Sequence, residues 1–421
     1  MVLSTTGVSI VLLTIWAIMY RLLRKRLGTS KFYFLLLVLM GSAGLLLHPL
    51  PIVGGDLTPM YFHLSNIVLF SFLMMIVLLP WLKVDRYLKN KNQFIINEKY
   101  IDTLKVVFTT IIILSITAMV YFAPYFVRGT LMNSNELRSI LGEESLLPQS
   151  IWTTLGVGIC ELLPIDILLV YISLLDKRLR KYTIWLVLSS LGYIFYSAAE
   201  AARDGYIFMP IMYIIFFLFF KKSLSNDSVK LLKRWAFIGT ILLLVGIGGI
   251  TVGRFYYTGQ SSHEAFSSLI GGTWGYFYQQ PYVFDHVLDY HTSFFGFKRR
   301  LSFLDPVFNL GGVEYSTQTA DSITWMFGTQ FSDFYQMGGY TGLFIALVVF
   351  LLMFMFFIRI NMNKGRLFPL LVAFCIYVYF TISGLFYFRF GGNDSEFFFL
   401  MAILISSLFI PNVLEIKRRT L

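Results

Sequence analysis

Apolar runs of about 20 residues recur along this chain, the length that crosses the hydrocarbon of a bilayer. Inside hydrocarbon every backbone N–H and C=O must be paired within the protein, which leaves helices or closed barrels. Runs this long and continuous are helical. The chain therefore reads as an all-α polytopic membrane protein, a single integral membrane domain over 1–421. About eleven spans are expected, at roughly 4–22, 32–50, 60–82, 105–125, 151–175, 183–201, 206–221, 235–253, 338–359, 367–388 and 397–413. Composition agrees: 57% of residues are apolar, 14% are charged, and the mean hydropathy is +0.71. No cleavable signal peptide is expected, because basic residues follow the apolar stretch Val8 to Tyr20 rather than precede it. Cys160 and Cys375 both fall inside apolar runs and read as packed thiols.

Alternating sides along these helices supplies a check that was not used to draw them. One set of loops, 21–31, 83–105, 177–181, 221–234, 359–366 and 417–419, holds 26 of the 34 basic residues. Lys/Arg excess marks the cytoplasmic side, so the N-terminus faces out and the C-terminus faces in. The +11 net charge thus belongs to membrane topology and implies no nucleic-acid partner. All five histidines and 15 of the 23 acidic residues fall on the outer side or at outer helix ends. Glu161 and Asp166 lie inside the fifth span on either side of Pro164. They serve either a polar cavity or the backbone groups that the proline frees.

One large outer loop, 254–337, separates helices 8 and 9 and concentrates the chemistry-bearing side chains. Arg203, Arg254, Arg299, Arg300 and Arg389 are rare outer guanidinium groups, suited to the oxygens of a pyrophosphate. Tyr257, Trp274, Tyr278 and Tyr282 offer flat faces with polar tips for sugar rings. His263, Glu264 and Asp333 are the leading acid–base candidates, with His286 and His291 as further substrate contacts. The spacing of His286 and His291 lacks a third ligand, so no metal centre is expected.

The tight hairpin Ala202-Arg203-Asp204-Gly205, the large outer loop and its end, Asp333 through Gly338-Gly-Tyr-Thr-Gly342, together resemble the Wzy-type oligosaccharide repeat-unit polymerases of O-antigen and capsule synthesis. Arg300 with Gly311 matches an Arg-x10-Gly spacing of that group. The related O-antigen ligases carry a His-Asn-like pair separated by nine residues from a Gly-x-x-Gly; here Gly339-Tyr-Thr-Gly342 is present but Gly328 stands in the histidine's place.

The resemblance implies a glycosyltransferase in the bacterial cytoplasmic (inner) membrane, with its active site facing the periplasm or cell exterior. It would move a glycan from undecaprenyl pyrophosphate onto the sugar of an incoming lipid-linked repeat unit. It would use no cofactor, and membrane lipid, a chain-length regulator and a flippase would be its neighbours. The alternatives are an O-antigen ligase or other lipid-linked glycosyltransferase, and a flippase or transporter for lipid-linked oligosaccharide. A transporter of alternating-access type is expected to show matched interrupted helices in two halves, and no such repeat is visible.

Overall fold

The computed structural model describes residues 2–46, 62–89, 93–131, 147–148, 150–200, 204–236, 239, 241, 280–290, 329–386 and 394–417. Among these, helices dominate, and the only strands form two short antiparallel pairs. Six helices are long and apolar enough to cross a membrane, or seven if the bent pair Ile151–Cys160 and Leu163–Ser173 is one span. Two further apolar helices, Lys31–Ser42 and Gly205–Phe220, are shorter. Of the eighth expected span, 235–253, only residues 235, 236, 239 and 241 are described. The chain packs as two compact units.

The first unit comprises Met1–Lys89, Ile270–Ile360 and Tyr377–Phe397. Its elements open with β1 (Val2–Leu3), α1 (Thr5–Leu23), α2 (Lys31–Leu46), β2 (Phe62–His63), α3 (Leu64–Ile76) and α4 (Leu79–Leu88). Ser4 starts α1 by accepting the Gly7 N–H at 3.2 Å, one of the donors a helix start leaves unpaired. Where α1 and α2 pass, a Cβ on Gly41 would come within 2.9 Å of the Leu13 side chain, which would have to shift to admit it. The turn between them is tied to α4 by Asp85. Its buried carboxylate accepts from the N–H groups of Gly28, Thr29 and Ser30 and from the hydroxyls of Thr29 and Ser30.

The second unit comprises Asn90–Leu269, Asn361–Ile376 and Phe398–Leu421. It holds β3 (Gln93–Ile96), α5 (Ile101–Leu131), α6 (Ile151–Cys160), α7 (Leu163–Ser173), α8 (Thr183–Ser190), α9 (Gly192–Ala199) and α10 (Asp204–Phe220). A Cβ on Gly129 of α5 would stand 2.2 Å from the Ala198 carbonyl of α9, a helix crossing that depends on a missing side chain.

Later in the chain come α11 (Gln280–Tyr290), α12 (Gln330–Asn363), α13 (Leu367–Phe386), α14 (Asp394–Ser406) and β4 (Leu414–Lys417). The span Leu367–Leu385 is wholly buried, whereas α12 exposes Phe344, Ile345, Val348, Val349, Leu352 and Phe356. An outward stripe that apolar suits lipid rather than water.

Segments that alternation assigns to the same side are joined within each unit. β1 pairs with β2, Val2 opposite His63. β3 pairs with β4, Gln93 opposite Lys417. Arg178 bonds Glu98 at 3.1 Å, and Arg180 bonds Ser225 at 2.8 Å. Arg366 reaches the Leu408 carbonyl at 2.5 Å and the Ile410 carbonyl as well.

Two departures from the sequence reading matter for the site. The stretch expected as a loop over 254–337 contains α11, whose residues from Gln280 to Phe284 are all buried. The helix expected from 338 starts at Gln330, capped by the Thr329 hydroxyl on the Ser332 N–H, and breaks at Gly338 and Gly339. Gly339 holds φ 64° and ψ −149°, a combination open essentially to glycine alone. The break folds the chain sharply. The rings of Phe334 and Phe350 meet at 6.3 Å, although a straight helix would part them by about 24 Å.

Candidate active site

Carboxylates at positions i and i+4 of a helix share one face, so α11 presents Asp285 and Asp289 together. Opposite them stands the start of α3. His63 and Asn66, three residues apart, lie on one side of that helix end and meet the two carboxylates. Packing fixes the approach: the Phe62 ring lies edge-on to Tyr282 at 4.1 Å, and Phe70 lies against Phe284 at 5.4 Å and Phe331 at 6.3 Å. Tyr335 adds a hydrogen bond from its hydroxyl to the Leu288 carbonyl at 3.4 Å.

Within the cluster, Asn66 Nδ2 donates to Asp285 Oδ1 at 2.9 Å and to Asp289 Oδ1 at 3.1 Å, bridging the two acids. The His63 backbone N–H also points at Asp285, 3.3 Å from Oδ1. His63 Nδ1 sits 2.5 Å from Asp289 Oδ2 and 3.9 Å from Asp285 Oδ1. Exposure is graded across the group: the Asp285 side chain is 5% exposed, Asp289 26% and His63 51%. Burial pushes the Asp285 carboxyl up from 3.8 to about 6. The Asn66 hydrogen bond opposes that rise, the Asp289 charge adds to it, and His63 opposes it through its N–H and its charge.

His63, Asp285 and Asp289 are also the one set among the described residues that offers three metal-type donors, all within 4.8 Å of one another. Two ligands about 2.1 Å from one zinc ion in tetrahedral array stand roughly 3.4 Å apart. The 2.5 Å separation of His63 Nδ1 and Asp289 Oδ2 is shorter, a direct imidazole–carboxylate contact. The arrangement is a half-exposed imidazole set against one carboxylate and backed by a second. Such a group can take a proton from a hydroxyl and stabilise the resulting imidazolium.

Of the outer side chains expected from the sequence to act in catalysis or substrate binding, Tyr282, His286 and Asp333 are described. Tyr282 is buried against Phe62 on α11. His286 is half-buried beside Asp285, turned by about 100° from the face that meets His63. Asp333 is buried in the short helix before the glycine break. Phe331 and Tyr335 there face α3 and α11, which turns position 333 by about 200° from that contact. Arg203, Arg254, Tyr257, His263, Glu264, Trp274, Tyr278, His291, Arg299, Arg300 and Arg389 lie outside the described residues.

Sequence reasoning did not single out His63, Asn66, Asp285 or Asp289. The signals that could have found them are the paired spacings His63-x-x-Asn66 and Asp285-x-x-x-Asp289. Nothing in the linear order ties one pair to the other, more than 200 residues away. Comparison with protein-family models, with curated proteins and with solved structures returned no match to this chain.

Proposed function

We propose that this chain is an integral membrane glycosyltransferase of the repeat-unit polymerase type, joining lipid-pyrophosphate-linked oligosaccharides at the outer face of the bacterial inner membrane. The observation that carries the reading is the half-exposed His63 imidazole held 2.5 Å from Asp289, with Asp285 buried behind it. In this reaction an acceptor hydroxyl attacks the anomeric carbon of the donor sugar. His63 takes the hydroxyl proton on Nε2 as the new C–O bond forms, and Asp289 and Asp285 stabilise its positive charge. The anomeric C–O bond to pyrophosphate breaks, and the leaving group departs as an anion that needs cationic contacts rather than a proton. Arg203 and Arg254, with Arg299, Arg300 and Arg389, are the guanidinium groups proposed for it. Outer placement of His63 follows from alternation along the basic loops and fits the pairing of β2 with the N-terminal β1.

A flippase for lipid-linked oligosaccharide is the second reading, favoured by the buried carboxylates of the bent span Ile151–Ser173. Complementation of a strain lacking its repeat-unit polymerase separates the two. Wild type restores a ladder of long glycans, while His63→Gln and Asp289→Asn, made at wild-type level, leave mostly single units, a loss of about 100-fold or more. A full ladder from both variants refutes the catalytic assignment. Absence of any ladder from wild type, with lipid-linked units stranded on the inner leaflet when the chain is missing, transfers the reading to the flippase.

A further inference from the structure

Tyr340 is the first residue beyond the break in α12, directly after Gly339 with its φ of 64°. Its ring meets the Tyr335 ring edge-on at 5.3 Å. Positions five apart on a straight helix point about 140° away from each other, so this contact exists because the chain breaks between them. Tyr335 in turn reaches α11. Its hydroxyl donates to the Leu288 carbonyl at 3.4 Å, one residue before Asp289, and lies within electrostatic reach of both Asp289 and Tyr340. One buried ring thus links Tyr340 to the cluster of His63, Asn66, Asp285 and Asp289, and all of these residues belong to the first unit.

Exposure separates the two tyrosines. Tyr335 is 6% exposed, Tyr340 50%, and the Tyr340 hydroxyl makes no hydrogen bond among the described residues. A tyrosine at the end of a span also suits the aromatic belt of a membrane interface, and Tyr340 does head the exposed stripe of Phe344, Val348 and Leu352 at four-residue steps. A belt residue has no need of a neighbour that also contacts a polar cluster. Tyr340 has that neighbour, and a glycine-only backbone conformation precedes it.

A pyranose carries C–H bonds on its faces and hydroxyls round its rim, so its recognition takes a flat apolar surface with acceptors close by. The first unit offers both: the half-exposed Tyr340 ring, and the side chains of Asp289, 26% exposed, and His63, 51% exposed. We propose that Tyr340 is the stacking platform for the acceptor sugar, the C–H face of a pyranose lying on its ring while the hydroxyl rim turns to Asp289 and His63. The inference rests on the glycosyl-transfer reading of that cluster and adds to it the subsite that presents the hydroxyl.

The test is equilibrium binding, which needs no turnover. The probe is radiolabelled repeat-unit oligosaccharide, released by mild acid from the carrier lipid of host cells that lack this chain, added to the full-length protein in detergent. Wild type should retain it saturably. Tyr340→Leu, which keeps apolar bulk for lipid but has no ring, should bind about 3- to 10-fold more weakly, and Tyr340→Trp should bind within about twofold of wild type. Should Tyr340→Leu fail to fold, the emission of Tyr340→Trp decides, with a saturable change on adding the oligosaccharide that wild type does not show. No retention by wild type, equal binding by Tyr340→Leu, or no added emission change in Tyr340→Trp overturns the platform. Ring-dependent binding by a wild type that restores no glycan ladder upholds the platform and refutes glycosyl transfer; a ladder with equal binding by Tyr340→Leu does the reverse.

Discussion

Asp285 is held as a carboxyl group whose proton is released only near pH 6, about two units above its ordinary 3.8, because burial disfavours its charge. Replacing it by asparagine should therefore remove a pH-dependent term from stability. In the unfolded chain the group loses its proton near pH 4, and in the folded protein it keeps the proton to about pH 6. Between those limits the folded state binds more protons than the unfolded one, so its stability falls as pH rises. At 1.36 kcal/mol per unit, two units amount to about 3 kcal/mol, fully expressed above pH 6. For a chain of this size that corresponds to roughly 3–4 °C in the unfolding midpoint.

The amide introduced by Asp285→Asn would keep an oxygen to accept from Asn66 Nδ2 and from the His63 N–H, so the variant should fold. The other titrating groups against this carboxyl are His63 and Asp289, both retained in the variant, and the difference between the two curves isolates Asp285. The assay is the unfolding midpoint of wild type and Asp285→Asn from pH 4 to pH 7.5. Wild type should lose ground relative to the variant as pH rises from about 4 to 6, and the gap should then level off. Parallel curves would refute the reasoning. A gap that opens the other way would mean that an ion pair with protonated His63 outweighs burial.

Two backbone predictions follow from the fold. Gly339→Ala places a Cβ on φ 64° and ψ −149° and should cost about 1–3 kcal/mol, read as a lowered midpoint. Gly338→Ala should be nearly silent, since its φ of 175° is extended and nothing lies within 4 Å of the added carbon. Asp85→Ala removes the acceptor for three backbone N–H groups and two hydroxyls at the turn 28–30. It should destabilise by about 3 kcal/mol or more, with lowered yield from membranes as the second readout.

The helices were legible because the bilayer imposes a length and an apolar composition on every span. The bend at Glu161 was legible too, since Pro164 removes a donor at a fixed place. What a hydropathy reading missed is helix that does not need to span. α11 carries Asp285, His286 and Asp289 among Val283, Phe284, Val287 and Leu288, too polar for lipid and too apolar for water. Its stability comes from docking on α3, through Phe70 on Phe284 and through Asn66 on both acids, and no local pattern announces a partner so far away in sequence. The eight residues from Gln330 to Met337 were hidden for a related reason. Gly338 and Gly339 do end the membrane-length run, but they join two helical pieces rather than a loop to a helix.

The same contrast bears on where chemistry can be sought in such a chain. Counting titratable groups by loop favoured the residues richest in neighbours along the sequence, His263 and Glu264 among them. His263 and Glu264 lie outside the described residues, and among the described ones folding brings a histidine from the edge of one span to two acids of a helix that spans nothing. Asn66 bridges the two carboxylates, Asp289 stands against the imidazole, and Asp285 is the most buried of the three titratable groups. Asp289 stands 2.5 Å from the ring, whose side chain is half-exposed. His63 itself closes β2, which pairs with the N-terminal strand, and stands at the cap position before α3.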